Sequence, residues 1–184
     1  MEEQLSKWIE DRSDFMEVLS LIEHLDLKDS WLCAGSVRNY VWSSLSGQSF
    51  SLTEQDLDVI FYDPAYPYEA NSIIQERLVQ TAPMYHWEVK NQVYMHNHNF
   101  ADETPFNGCY EAIAHFPEKC TAVAVRLNQG KLEWLAPYGL QELLSMTVSP
   151  TPFFAKDERS MAIYRRRIQQ KNWQEKWPAL KIFL

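Results

Sequence analysis

Hydrophobic residues recur along the chain at two spacings, one typical of amphipathic helices and the other of strands. Apolar positions three and four residues apart predict helices over 15–25, 37–44, 69–80, 110–116, 140–146 and 157–177. Short apolar or alternating runs predict strands over 31–34, 56–63, 86–95, 121–127 and 132–138. Helices interspersed with strands in this way predict an α/β (α+β) fold, in which a mixed β-sheet is flanked by helices.

The pattern continues over 184 residues, a length typical of one domain. We expect a single domain made of N-terminal helices over 1–29, a core that carries the chemistry over 30–148 and a C-terminal helical extension over 149–184. A chain of this length is expected to bury about 70% of its unfolded surface, so its core requires neither disulfides nor a structural metal.

Composition narrows the class of protein. Hydrophobic residues make up 46% of the chain and charged residues 23%, which excludes intrinsic disorder. The formal net charge of −8 disfavours long nucleic acid as a partner, because the chain would repel its phosphates. A local basic run, Arg165–Arg167, is either a solvated helix face or a contact for an acidic partner or RNA.

The cysteines and the N-terminus predict the compartment. Cys33, Cys109 and Cys120 are odd in number and lack the spacing of metal ligands, which favours free thiols in a reducing compartment. The N-terminus has no basic segment followed by an apolar one, and no apolar run approaches about 18 residues. We therefore expect a cytoplasmic protein that is neither secreted nor inserted in a membrane.

The candidate chemistry begins on the second predicted strand. Asp56 and Asp58 are two residues apart, so the twofold period of a strand places both carboxylates on one face, while Leu57 and Val59 point into the core. Two like charges this close repel each other unless a divalent cation lies between them. The pair alone leaves two interpretations open, a Mg²⁺ site and a solvated strand face.

A glycine-serine turn precedes this strand. Ala34-Gly35-Ser36 lies where the first strand gives way to a helix, and the N–H groups at a helix start favour an anionic phosphate. The run from Ala34 to Asn39, followed by Asp56-Leu57-Asp58-Val59, resembles the catalytic signature of the DNA polymerase beta nucleotidyltransferase superfamily. It is similar in particular to the Gly-Gly/Ser-x-Arg pattern of the CCA-adding branch.

The resemblance extends over roughly residues 31–177. Five further segments resemble a small bacterial family of nucleotidyltransferase-like proteins: Trp87–Gln92, Met95-His96, Thr121–Arg126, Ala136–Leu140 and Lys171–Trp173. This resemblance implies the nucleotidyltransferase fold and nucleotidyl transfer as the activity. It implies no particular substrate, because one fold serves many functions.

What the resemblance implies can be assigned to individual residues. Gly35 and Ser36 match the turn that holds nucleotide phosphates, and Asp56 and Asp58 match the two metal-binding carboxylates. The superfamily has a third carboxylate on a neighbouring strand, which acts on the acceptor hydroxyl as a base or as a metal ligand. Glu88 fits that position; alternatively, it is a solvent-facing residue of an amphipathic strand.

Further polar residues extend the candidate site. Arg38 either contacts phosphate or forms a salt bridge with Asp63 or Glu54. The next residue is commonly acidic in the CCA-adding branch and is Asn39 here, which argues against a CCA substrate. Four polar residues that cluster around the end of the third strand either contact substrate through hydrogen bonds or decorate the surface: Lys90, Asn91, Gln92 and His96.

Together these residues predict a nucleotidyltransferase that depends on Mg²⁺, with Mn²⁺ as the alternative. It would transfer a nucleoside monophosphate from a nucleoside triphosphate to an acceptor hydroxyl. Because the acidic chain carries no large RNA-binding helical domain, a small molecule or a protein is expected as acceptor rather than long RNA. Two alternatives belong to other classes: a non-catalytic nucleotide-binding or interaction module that retains the fold, and an antitoxin-like partner protein. The sequence leaves the acceptor and the oligomeric state open.

Overall fold

The computed structural model describes residues 2–98, 100 and 103–184. Its helices are α1 (Glu2–Glu10), α2 (Ser13–Glu23), α3 (Gly35–Leu45), α4 (Ala70–Thr81), α5 (Cys109–Ala114), α6 (Gln141–Leu144), α7 (Glu158–Lys171) and α8 (Trp173–Lys176). Its strands are β1 (Trp31–Cys33), β2 (Asp56–Phe61), β3 (His86–Asn91), β4 (Ala124–Asn128), β5 (Lys131–Leu135), β6 (Thr147–Val148) and β7 (Lys181–Ile182). Short 3₁₀ turns span Leu52–Glu54 and Gln92–Tyr94.

Five strands form a mixed sheet in the order β3-β2-β1-β4-β5. β2 and β3 run parallel, whereas β1 is antiparallel to both of its neighbours and β4 and β5 form an antiparallel hairpin. The mixed sheet and the hairpin are therefore confirmed. The two-residue strands β6 and β7 form a separate parallel pair that the hydrophobic pattern did not predict.

One face of the sheet carries the main hydrophobic core. Leu57, Val59 and Phe61 of β2 are buried there against apolar residues of the first four helices, including Phe15 of α2 and Val41 of α3. The alternation along β2 sets this arrangement, because every second side chain points to the same side. The opposite face receives the residues in between.

The opposite face is covered at one end only. Trp31, Cys33 and Ile60 pack there with Cys109 and Ile113 of α5 in a second, smaller cluster. Asp29 holds the start of α5, because its carboxylate accepts a hydrogen bond of 2.8 Å from the Cys109 N–H. At the other end of this face, Asp56 and Glu88 are exposed. The candidate site residues therefore lie on the part of the sheet that none of the described helices covers.

The C-terminal helices pack against α3. The ring of Trp42 lies 5.6 Å from that of Trp173 and 5.3 Å from that of Trp177, both edge-on. Asn172 adopts a left-handed conformation with φ 43°, which ends α7 and separates it from α8. The single helix predicted over 157–177 is therefore two helices, and the two tryptophans fasten them to the body of the domain.

Two further expectations concern the end of β3 and the state of the cysteines. β3 ends at Asn91 rather than Met95, because the Asn91 side chain accepts a hydrogen bond from the Val93 N–H and begins a 3₁₀ turn. The three cysteines are buried free thiols, as predicted. Within the described part of the chain, no helix has the length and apolar character needed to cross a membrane.

Candidate active site

Three carboxylates lie together on the partly open face of the sheet. In the parallel register of β2 and β3, Asp58 is opposite Glu88 and Asp56 is opposite His86. Residues directly opposite each other place their side chains on the same face, so Asp56, Asp58 and Glu88 share one face. The prediction that the two aspartates lie on the face opposite Leu57 is confirmed, whereas their catalytic role stays a prediction.

The negative charges on this face affect each other. The pKa of Asp58 is raised from 3.8 to about 6, mainly by burial and in addition by the carboxylates of Glu88 and Asp56, against the opposing effect of Lys90. The ammonium group of Lys90 lies 2.7 Å from Oε2 of Glu88 and forms an ion pair with it. The site therefore holds more negative charge than its own cation neutralises.

This excess of negative charge fits a divalent cation at Asp56 and Asp58, because hard cations bind carboxylate oxygens and would offset the repulsion. A third ligand is not in place, since no cluster of three His, Cys, Asp or Glu side chains suited to a metal occurs among the described residues. Glu88 pairs with Lys90 instead. Asp56 and Asp58 therefore remain the candidate ligands for a cation.

The turn between β1 and α3 brings the start of a helix to the same region. Ala34 has φ 60° and ψ −121°, and its N–H donates to the carbonyl of Val123, the residue just before β4, at 3.0 Å, which ties the turn to the start of that strand. No side chain of the described residues caps α3. Ser36 is fully buried, with its Oγ 3.5 Å from the Cys33 carbonyl oxygen. Backbone N–H groups at the start of α3, rather than the serine hydroxyl, are therefore best suited to meet an anion.

The surroundings of Arg38 are those of a buried side chain that holds parts of the protein together. Its side chain is buried, its Nη1 donates to Thr121 Oγ1 at 2.6 Å, and its guanidinium lies 5.0 Å from the ring of Trp42 and 4.2 Å from that of Trp173. The alternative salt bridges to Asp63 and Glu54 do not form within the described chain. The predicted phosphate contact is not supported for Arg38, which anchors α3 to the segment before β4.

A pocket of about 220 Å³ opens next to the carboxylates. Its polar wall includes Asp58, Lys90, Thr121 and Arg167. The remaining wall is largely aromatic, and its rings form one connected cluster: His115 lies 4.2 Å from Phe153 and 5.1 Å from Phe106 between ring centroids. A charged wall facing an aromatic one suits a ligand with an anionic part and a planar, apolar part.

The predicted substrate contacts divide into two groups. Lys90, Gln92 and His96 line the pocket, and Nδ1 of His96 is buried without a hydrogen-bond partner among the described residues. Asn91 does not line the pocket. Its side chain is fully buried, with Nδ2 donating to the Asp63 carbonyl at 2.8 Å, and the prediction of a substrate contact is not supported for it. Adjacent residues on a strand face opposite sides, which is why Asn91 leaves the cluster.

The sequence did not identify several residues of the pocket wall. His115 and Phe153 lie outside any motif, and no local pattern marked them. Arg167 was noted only as part of a basic run on the last long helix. The structure places it in the pocket wall, 49 residues along the chain from its ion-pair partner Glu118.

Comparison with known proteins agrees with this arrangement of turn, aspartates and sheet. A family model described as Nucleotidyltransferase matches residues 20–182. The chain belongs to this nucleotidyltransferase family. The match includes the turn, both aspartates and Arg167, so the region that forms the pocket is part of the family domain. No curated protein matches the chain.

Solved structures support the same fold. A protein described with the words "The NMR structure of the protein reveals a CCA-adding enzyme head domain" is 42% identical, with a TM-score of 0.89 over 98% of this chain and 95% of that chain. The nucleotidyltransferase is similar in fold alone to the Bacillus stearothermophilus CCA-adding enzyme in complex with CTP, with 16% identity and a TM-score of 0.53 over 85% of this chain. A tRNA nucleotidyltransferase complexed with a primer tRNA and an incoming ATP analog is 15% identical, with a TM-score of 0.51 over 90% of this chain. The nucleotidyltransferase spans only 38% and 46% of those two longer chains.

Proposed function

We propose that this nucleotidyltransferase moves a nucleoside monophosphate from a nucleoside triphosphate to an acceptor hydroxyl, in a reaction that depends on Mg²⁺ or Mn²⁺. The observation that carries the proposal is the register of β2 and β3, in which Asp58 lies opposite Glu88 on the face that also holds Asp56. The start of α3 and the pocket lie beside these carboxylates.

The reaction would form one bond and break one bond. The acceptor oxygen attacks the α-phosphorus of the nucleoside triphosphate, and the bond from that phosphorus to the bridging oxygen breaks, so pyrophosphate leaves with the electron pair. The hydroxyl proton passes to a base, for which Glu88 is the candidate on the open face. A divalent cation held by Asp56 and Asp58 would neutralise charge on the phosphates. Backbone N–H groups of α3 would orient the phosphate chain.

We infer that the acceptor is a small molecule or a protein side chain rather than long RNA. The net charge of −8 opposes the approach of a polyanion. CCA-adding enzymes with tRNA as substrate share the fold, and Asn39 follows Arg38 here in place of the acidic residue common in that branch.

Thermal unfolding tests nucleotide and metal binding together. The wild type is melted with ATP, GTP, CTP or UTP, each with and without Mg²⁺ or Mn²⁺. A nucleotide at about 100 times its dissociation constant should raise the melting temperature by about 2–4 °C. We expect a metal-dependent rise for at least one nucleotide, and we expect Asp56→Asn/Asp58→Asn to remove it. Asp11→Asn, an exposed aspartate on the loop between α1 and α2, is the matched control and should keep the rise.

Transfer is then measured as pyrophosphate release in the presence of three probe acceptors: a mixture of polyols, a serine-containing peptide and a tRNA. Release with the polyols or the peptide supports the proposal, and release with the tRNA alone would overturn the acceptor assignment. A wild type that shows no metal-dependent rise with any of the four nucleotides would overturn nucleotidyl transfer itself.

A nucleotide-binding module without catalysis is the second candidate. The ion pair between Glu88 and Lys90 favours it, because this pairing holds the candidate base away from a role in proton transfer. Metal-dependent binding without pyrophosphate release from any of the three acceptors would select this candidate.

A further inference from the structure

Of the three consecutive arginines on α7, one differs from the others in its surroundings. Arg165 pairs with Glu158 on the same helix and Arg166 is exposed, whereas Arg167 lies in the wall of the pocket. Its partner is Glu118, whose side chain is fully buried. A cation on a distant helix has thus been brought to the pocket by a buried carboxylate.

The geometry of this ion pair leaves most of the guanidinium available. Arg167 donates from Nε to Oε1 of Glu118 at 2.6 Å. The described hydrogen bonds include none from its Nη atoms, and Oε2 of Glu118 is buried without a partner in the described structure. A guanidinium has five N–H donors, so an ion pair made through Nε alone leaves four of them for another ligand. A pair that served only stability would favour the two-pronged arrangement, which satisfies both carboxylate oxygens.

Contacts connect Arg167 to the turn before α3. Glu118 lies three residues before Thr121, whose N–H donates to the Glu118 carbonyl at 3.0 Å. Thr121 in turn accepts a hydrogen bond from Arg38 of α3. Ala34, Thr121 and Arg167 all line the pocket. The free edge of Arg167 therefore belongs to the same part of the wall as the start of α3.

The wall contains one other lysine or arginine among the described residues, and that side chain already has an ion-pair partner. Lys90 is paired with Glu88, and Arg38 is buried behind the turn. A phosphate chain carries several negative charges and would meet Asp58 in the same pocket, so it requires a cation in addition to backbone N–H groups. Arg167 has the free donors and the position to supply it.

We propose that Arg167 binds the phosphate chain of the nucleoside triphosphate and that Glu118 positions it for this contact. This inference rests on the proposed nucleotide binding and deepens it, because it gives the C-terminal helix a direct part in the site. It also accounts for a buried carboxylate that has one unpaired oxygen: Glu118 fixes the orientation of the arginine at the cost of its own second hydrogen bond.

A test must separate binding from folding, because Arg167→Gln alone leaves a buried, unpaired carboxylate. We therefore compare Glu118→Gln with Glu118→Gln/Arg167→Gln, two variants that both lack the carboxylate and differ only in the arginine. Arg166→Gln is the control on the neighbouring exposed position. Calorimetric titration uses the nucleoside triphosphate that raises the wild-type melting temperature with Mg²⁺, then its monophosphate, then inorganic tripolyphosphate.

We expect the double variant to bind the triphosphate and tripolyphosphate about 10- to 100-fold more weakly than Glu118→Gln does, since a charge-assisted hydrogen bond is lost. Binding of the monophosphate should change less than about threefold, and Arg166→Gln should match the wild type. A structural role alone would weaken all three ligands equally, and that result, or equal triphosphate binding by the two Glu118 variants, would overturn the inference. If the wild type binds no triphosphate, the proposed function itself fails, whereas a wild type that binds while Arg167 proves neutral leaves that function standing.

Discussion

The two faces of the five-stranded sheet use the same strands for opposite purposes. On one face, Leu57 and Val59 are packed against helices and are almost wholly buried. On the other, Asp56 and Asp58 from the same strand lie beside Glu88 where helix cover ends. The first face supplies stability through burial of apolar surface. The second accumulates like charges that oppose folding, as the proposed binding of a cation would require.

The largest effect is expected on the packed face. Leu57→Ala should lower the free energy of unfolding by about 2–5 kcal/mol, because it removes buried methyl groups and leaves a cavity. Denaturant unfolding followed by circular dichroism measures the loss. Leu45→Ala, at an exposed position on α3, is the matched control and should change stability by less than about 1 kcal/mol. Equal losses at the two positions would show that the packed face does not dominate stability.

An effect of opposite sign is expected on the carboxylate face. Asp58→Asn keeps the shape of the side chain and removes a charge that burial, Glu88 and Asp56 all disfavour. We expect the free energy of unfolding at neutral pH and without divalent cations to rise by about 1–3 kcal/mol. Asp11→Asn, on the exposed loop before α2, should be neutral within about 0.5 kcal/mol.

The pH dependence of this gain follows from the sign of the shift. Because the pKa of Asp58 is raised from 3.8 to about 6 in the folded protein, the wild type loses stability as pH rises through that interval. Below it the aspartate is protonated in both states and the advantage of asparagine disappears. Urea unfolding at about pH 5 and at about pH 7.5 should therefore show the smaller gain at the lower pH. A gain that is larger at the lower pH would contradict the assigned charge state.

The smallest effect is expected at the turn that joins the two faces. Ala34 has φ 60°, a left-handed value that glycine adopts more easily than alanine. Relief of this strain, worth about 1–3 kcal/mol, exceeds the entropic cost of a glycine, about 0.5–1 kcal/mol. Ala34→Gly should therefore raise the free energy of unfolding by about 1 kcal/mol.

The matched control for that turn is Ala162→Gly on the exposed side of α7, where the backbone is helical. There the same substitution should lower stability by about 1 kcal/mol. Opposite signs at the two positions, read from melting temperatures, support strain at Ala34. A loss of stability at both would show that the turn is relaxed.

Local patterns were sufficient to predict most strands of the sheet and the face on which Asp56 and Asp58 lie. The alternation along β2 specifies which residues face the core, and the glycine-serine turn marks the start of α3. The pattern could not predict contacts between distant segments. Arg38 is surrounded by Thr121 and Trp173, and neither residue is near it in the sequence.

The errors near the end of β3 have a different cause. The polar run from Lys90 to His96 was treated as one cluster, although the strand ends inside it and Asn91 turns back to bond with Asp63. A side chain that caps its own turn gives the same sequence signal as one that faces a ligand. Arg167 was missed as a pocket residue because its ion pair with Glu118 depends on how α7 packs against the rest of the domain.

The packing of Trp42 against Trp173 and Trp177 gives the protein an internal optical reporter. Indole emission shifts to longer wavelength when the ring enters water, and these three rings are buried together beside Arg38. Two of them belong to the segment that follows α7, and the third belongs to α3, the helix that begins at the glycine-serine turn. Undocking of the C-terminal segment would expose these three of the chain's seven tryptophans together and shift part of the emission to longer wavelength. The change in the spectrum would then report, without a label, the separation of that segment from α3.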